Sequence, residues 1–120
     1  MSWPVETIPD SAYLFRRVHK NHAIGPTLTY KVIFKNHLGG MSVDWDEYAS
    51  SEDTQNGGPQ SAENYGVIKL NTGDVRKMKS QSVEHKPTKN NQAHSAVVGE
   101  KSEEVIINLK RILEWEINIK

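Results

Sequence analysis

Apolar and polar positions along the chain mark out short elements separated by long polar stretches. Tyr13 to His19 (YLFRRVH) follows the turn-like Pro9-Asp10-Ser11 and alternates as a strand. Tyr13, Phe15 and Arg17 share one face, with Leu14, Arg16 and Val18 on the other. Thr29 to Lys35 (TYKVIFK) alternates more cleanly, with Tyr30, Val32 and Phe34 set against Thr29, Lys31, Ile33 and Lys35. Gly25-Pro26 supplies the turn between these two strands, and Gly39-Gly40 ends the second. Ser42 or Asp44 is then placed to cap a short helix through Trp45, Asp46, Glu47, Tyr48 and Ala49, with acids at its positive end.

Ser50 to Glu63 holds Gly57-Gly58-Pro59 and no large apolar residue, so residues 50–63 are expected to form a flexible loop. Strand character returns in Tyr65 to Leu70. Asn71-Thr72-Gly73-Asp74 reads as a turn, and Val75 to Met78 as one helical turn begun by Thr72 or Asp74. Ser82 to Lys86 is a short strand stopped by Pro87. Ala93 to Val98, closed by Gly99, is a strand near the sheet centre.

The final element has the strongest periodicity. Val105, Ile106, Leu109, Ile112, Leu113 and Ile117 fall on one helical arc of about 140°. Ser102 suits its N-cap, and Glu103 and Glu104 its first turn. Glu116 falls inside the apolar arc, so the helix should end near Trp115 unless Glu116 meets a cation. Ile117 and Ile119 then alternate as a short terminal strand. The expectation is one α+β domain over residues 1–120, a mainly antiparallel sheet with the Ser102–Trp115 helix packed on one face.

Composition sharpens this picture in two ways. Leu, Ile, Val and Phe number 27 of 120 residues, just above the ~20% level that accompanies disorder, and the net charge is zero. A folded chain with a small core follows. The absence of cysteine excludes disulfides, thiolate zinc sites and thiol nucleophiles, and suits a reducing, cytoplasmic location. No apolar run approaches the ~18 residues of a membrane span, and Met1 to Asp10 lacks a signal peptide's apolar stretch, so no membrane partner is expected.

Neutrality conceals a segregation of charge. Asn36 to Ile68 contains no Lys or Arg but six acids, namely Asp44, Asp46, Glu47, Glu52, Asp53 and Glu63. Lys69 to Lys89 reverses the balance, with six cations against Asp74 and Glu84. Solvated loops account for such runs, and a local basic surface for an anionic partner is the functional counterpart. A neutral chain is not the composition of a general nucleic-acid binder.

Chemistry falls to His, Asp, Glu and Arg. Among five histidines, His19 and His22 are three apart, which matches no dedicated metal motif, and no metal or other cofactor is expected. His94 opens a strand and suits a hydrogen-bonded ring. Its functional reading is a general acid or base, with His85 on a neighbouring strand and Arg16 or Arg17 holding an anion. Arg16 and Arg17 must point to opposite faces, and the inward one needs a carboxylate such as Asp44, Asp46 or Glu116. Phosphate-loop, dinucleotide-binding and nucleophile-elbow motifs are absent.

Three patterns, in order, carry a resemblance: Ser11 to Val18 (SAYLFRRV), Met41-Ser42-Val43-Asp44, and Asn91 to Gly99 (NQAHSAVVG). Together they resemble a group of small uncharacterised bacterial proteins with an Arg-Arg strand, a Ser-Val-Asp segment and an Asn-Pro-Ala-His strand before a final helix. Gln92 stands here in place of the Pro. The resemblance implies no activity, but it draws Arg16, Arg17, Ser42, Asp44, Asn91 and His94 together as one cluster. The leading expectation is a non-catalytic accessory module with an unidentified protein partner. The alternative is a small enzyme or binder of a phosphate-bearing ligand, a nucleotide or RNA, acting through His94, His85 and Arg16 or Arg17.

Overall fold

The computed structural model describes residues 3–22, 34, 40–57 and 62–119. The strands are β1 (Tyr13–His19), β2 (Met41–Trp45), β3 (Tyr65–Asn71), β4 (Ser82–His85), β5 (His94–Val98) and β6 (Glu114–Ile117). The helices are α1 (Ser51–Gln55), α2 (Thr72–Arg76) and α3 (Glu103–Ile112). Among the described residues the strands form one antiparallel sheet in the order β4-β5-β2-β1-β3-β6.

Strand alternation decides which side chains make the core. Leu14 and Val18 of β1, Met41, Val43 and Trp45 of β2, Ile68 and Leu70 of β3, and Val83 and Val97 of β4 and β5 join one buried cluster. Val105 and Leu109 of α3, Val75 of α2, Ile8 and Phe34 complete it. The architecture is α+β, with the C-terminal helix on one sheet face. Ahead of β1 the chain is strapped down by Arg76, whose guanidinium donates to the Ile8 and Val83 carbonyls and to Asp10 Oδ1.

Four sequence expectations shift. Met41–Trp45 is a strand rather than the approach to a helix over 45–49. Met41, Val43 and Trp45 are buried while Ser42 and Asp44 face the other way, so a period of two overrides the capping potential of Ser42 and Asp44. The stretch expected as loop contains α1, whose Ser50 and Asp53 form a reciprocal capping box. The helical turn after β3 begins earlier, at Thr72, capped by Asn71. Helix α3 has its predicted N-cap, Ser102, but stops at Ile112.

That early stop has a cause in β6. Leu113 turns to extended backbone, and Glu114 and Trp115 pair with Lys69 and Ile68. Gly66 makes room for this edge, because an added Cβ would lie 2.7 Å from both the Ile117 carbonyl and the Ile119 side chain. Glu116 meets Lys69 at 3.8 Å, so the early end and the cationic partner occur together. The expected strand over Thr29 to Lys35 lies outside the described residues apart from Phe34, a fully buried turn residue.

Candidate functional site: a cationic cleft on the sheet face opposite the core

Residues that alternate away from the core form the floor of a cavity of about 950 Å³. Registers Phe15↔Asp44 and Asp44↔His94 set these three side by side across β1, β2 and β5. Arg17 and Ser42 lie two residues farther along their strands on the same face. Helix α1, Tyr48 and the Asn90–Gln92 loop supply the walls.

Asp44 ties those walls to the floor. Its Oδ2 accepts from Thr54 Oγ1 at 2.8 Å, and its Oδ1 from Asn91 Nδ2 at 2.9 Å. Asn91 Oδ1 in turn accepts from the Ala93 N–H at 3.0 Å, holding the loop in its turn. Thr54 is the buried residue of α1, so this short, otherwise polar helix is positioned by a side-chain bond rather than by an apolar stripe. Asp44 and Asn91 are therefore cleft-wall braces.

His94 is oriented by the carbonyl of Lys86, 2.7 Å from Nδ1. A carbonyl only accepts, so Nδ1 carries the proton and Nε2 is the acceptor of the neutral ring. The ring is partly exposed and lines the cavity. His85, expected beside it, does not line this cavity. It is 3% exposed on the core face, where Nδ1 accepts from the Glu6 N–H at 2.9 Å. Nε2–H then donates to the Gln92 carbonyl at 2.7 Å, and the ring packs edge-on to Trp45. Both nitrogens are committed to backbone, which leaves His85 a structural clasp for the N-terminal segment.

The two arginines part as strand geometry requires. Arg17 shares its face with Tyr65, and its Cζ sits 4.2 Å from the ring centroid. Its Nη1 is buried with no hydrogen-bond partner among the described residues. Arg16 alternates with Leu14 and Val18, and donates through Nη1 to the Ser42 carbonyl at 2.6 Å. Burial, assisted by Arg17, lowers the Arg16 guanidinium to about 10. Lys101 donates to the Val97 and Gly99 carbonyls, and burial, assisted by Arg16, lowers it to about 8. Three cations thus crowd one end of the sheet. Of the proposed inward partners, Glu116 is engaged by Lys69 and Asp44 by Thr54 and Asn91.

The cavity brings together Arg16, Arg17, Ser42, Asp44, Asn91 and His94. It also includes His19, His22, Thr54 and Tyr65, which the sequence reading did not place there. His19 was accessible to that reading, since it continues the Phe15, Arg17 alternation. Its Nδ1 accepts from the Asn21 N–H at 3.0 Å, and its ring meets Tyr65 edge-on. Thr54 is hard to reach from sequence, because the Ser50-x-x-Asp53 capping pattern that starts α1 is followed by no apolar stripe.

Among the described residues no three His, Asp or Glu side chains are grouped to hold a metal ion. No helix among them is long and apolar enough to cross a membrane. The basic segment after Lys69 does not converge on the cleft. Lys69 pairs with Glu116 and lies over the Tyr13 ring, while Arg76 binds Asp10. No family model matches the chain, and no curated protein or solved structure matches it either.

Proposed function

We propose that the cleft binds a phosphate-bearing small ligand, with Arg17 as the cation that contacts the anion. The observation that carries this reading is the buried Nη1 of Arg17, which lacks a partner among the described residues while its guanidinium rests on Tyr65. Leaving such a donor unsatisfied costs ~1–3 kcal/mol, a cost that an anionic oxygen relieves. Guanidinium is suited to the task by its planar fork of donors, which matches two phosphate oxygens at once. Arg16 and Lys101 add positive field behind it. Two carboxylates also line the cavity, and both are tied to protein groups, Asp44 by two donors and Asp53 by the capping box.

A titration of the protein with inorganic phosphate, followed by NMR, tests the reading. Resonances of Arg17 and Tyr65 are expected to move at millimolar phosphate, and Arg17→Met to abolish the movement. Unmoved resonances in the wild-type protein would remove the basis for an anion site.

A second reading, a non-catalytic module that docks a protein partner, is favoured by exposed apolar side chains. Ile107 is 50% exposed on α3 and Trp115 38% exposed on the edge strand β6. Ligand binding without turnover is compatible with such a role. A cysteine-free composition supports a working location in a reducing cytoplasm, and the resemblance noted above supports a bacterial one.

A further inference from the structure

We infer that the ligand of this cleft is a phosphorylated sugar, free or carrying a base, with its phosphate at Arg17 and a hydroxyl or amine of its body donating to His94 Nε2. This inference rests on the anion-binding reading above and adds the other half of the molecule. Two ends of the cavity make different demands. At Arg17 the site presents a cation with a buried donor lacking a partner among the described residues. At His94 the Lys86 carbonyl holds the proton on Nδ1, so the neutral ring offers an acceptor and asks for a donor.

The two ends are too far apart for one small anion. His94 lies two strands from Phe15 through Asp44, and Arg17 is two residues beyond Phe15. Strand spacing and rise place the Arg17 and His94 Cα atoms roughly 12 Å apart. A cavity of about 950 Å³ has room for a molecule that spans them. Its middle is polar. Ser42 is exposed there, and Asp44 has both oxygens already bonded. A body bearing hydroxyl groups fits this lining, whereas a second phosphate at the His94 end would meet an acceptor.

The test is calorimetric titration at pH 7.5 with inorganic phosphate, ribose 5-phosphate and AMP. The proteins are wild type, Arg17→Met, His94→Phe and His94→Gln, each checked for an unchanged fold by thermal melting. Ribose 5-phosphate or AMP is expected to bind at least tenfold more tightly than phosphate. His94→Phe should erase that advantage and leave phosphate affinity unchanged, and His94→Gln, which keeps an acceptor oxygen, should restore most of it. Arg17→Met should weaken all three ligands. AMP exceeding ribose 5-phosphate supports a base-bearing ligand, and equality supports a free sugar phosphate. Phosphate binding with no gain from the sugar overturns the inference and leaves the anion site standing. Absence of phosphate binding overturns both.

Discussion

His85 and His94 sit on paired neighbouring strands, yet they occupy opposite faces of the sheet. His85 lies opposite Ser95, so it shares the parity of that residue and points to the core, while His94 points to the cleft. Their backbone contacts fix opposite tautomers. The Glu6 N–H forces the His85 proton onto Nε2, and the Lys86 carbonyl holds the His94 proton on Nδ1. One ring is closed on both sides by backbone; the other is fixed by one nitrogen and keeps an acceptor. The faces differ in the same way. The core face is filled by interlocking apolar side chains, and the cleft face by polar and charged groups held through hydrogen bonds.

The comparison predicts that stability and binding separate by face. Leu70→Ala, at a fully buried position, is expected to cost ~2–5 kcal/mol in urea denaturation and to leave phosphate affinity unchanged. A parallel loss of affinity would show that the faces are not independent. His85→Leu orphans the Glu6 N–H and the Gln92 carbonyl, and should cost ~1–3 kcal/mol for each group. His94→Gln, by contrast, loses at most the ~0.5–1.5 kcal/mol of one hydrogen bond. Equal costs for the two substitutions would erase the distinction drawn here.

Asp44→Asn is intermediate. The new amide keeps Asn91 on its oxygen and makes the Thr54 hydroxyl turn to accept, so two charge-assisted bonds become neutral ones, and we expect ~1–2 kcal/mol of destabilisation and faster hydrogen exchange in α1. The smallest effect is a pH dependence at the crowded cationic end. Lys101 is lowered to about 8 from 10.5, so between those values the unfolded chain holds a proton that the folded chain has released. Stability therefore rises as pH increases from about 8 towards 10.5. Subtracting the profile of Lys101→Met isolates this contribution, and a flat difference would detach Lys101 from the cluster.

Parity also explains what the sequence could disclose. Alternation in β1, apolar runs bounded by turn residues in β3 and β5, and an apolar arc with Ser102 at its start in α3 are local signals, and these elements followed them. Met41 to Trp45 carried two local signals, alternation and capping residues. The buried partners Val97 and Ser95 on β5 decided between them. Helix α1 offered only its Ser50-x-x-Asp53 capping pattern, because its one buried side chain, Thr54, is held by Asp44 from another element. In the cleft, Arg16, Arg17, Ser42, Asp44, Asn91 and His94 were brought together through ordered patterns. His85 was grouped with them because the strand register, and hence its face, is not written in spacing alone.

Strand order has a consequence for how the chain is made. β1 and β2 pair with each other, and β3 adds beside β1, so the first three strands already form an unbroken block. The β4–β5 hairpin then joins through β2, and β6 closes the far side on β3. Each newly synthesised piece meets an exposed edge that already exists, and none must be threaded between strands formed before it. On a ribosome, where N-terminal segments fold first, the sheet can grow outward from its centre. Among the described strands, β1 waits for β2 and β4 waits for β5, while every other strand has a pairing edge ready when it is made.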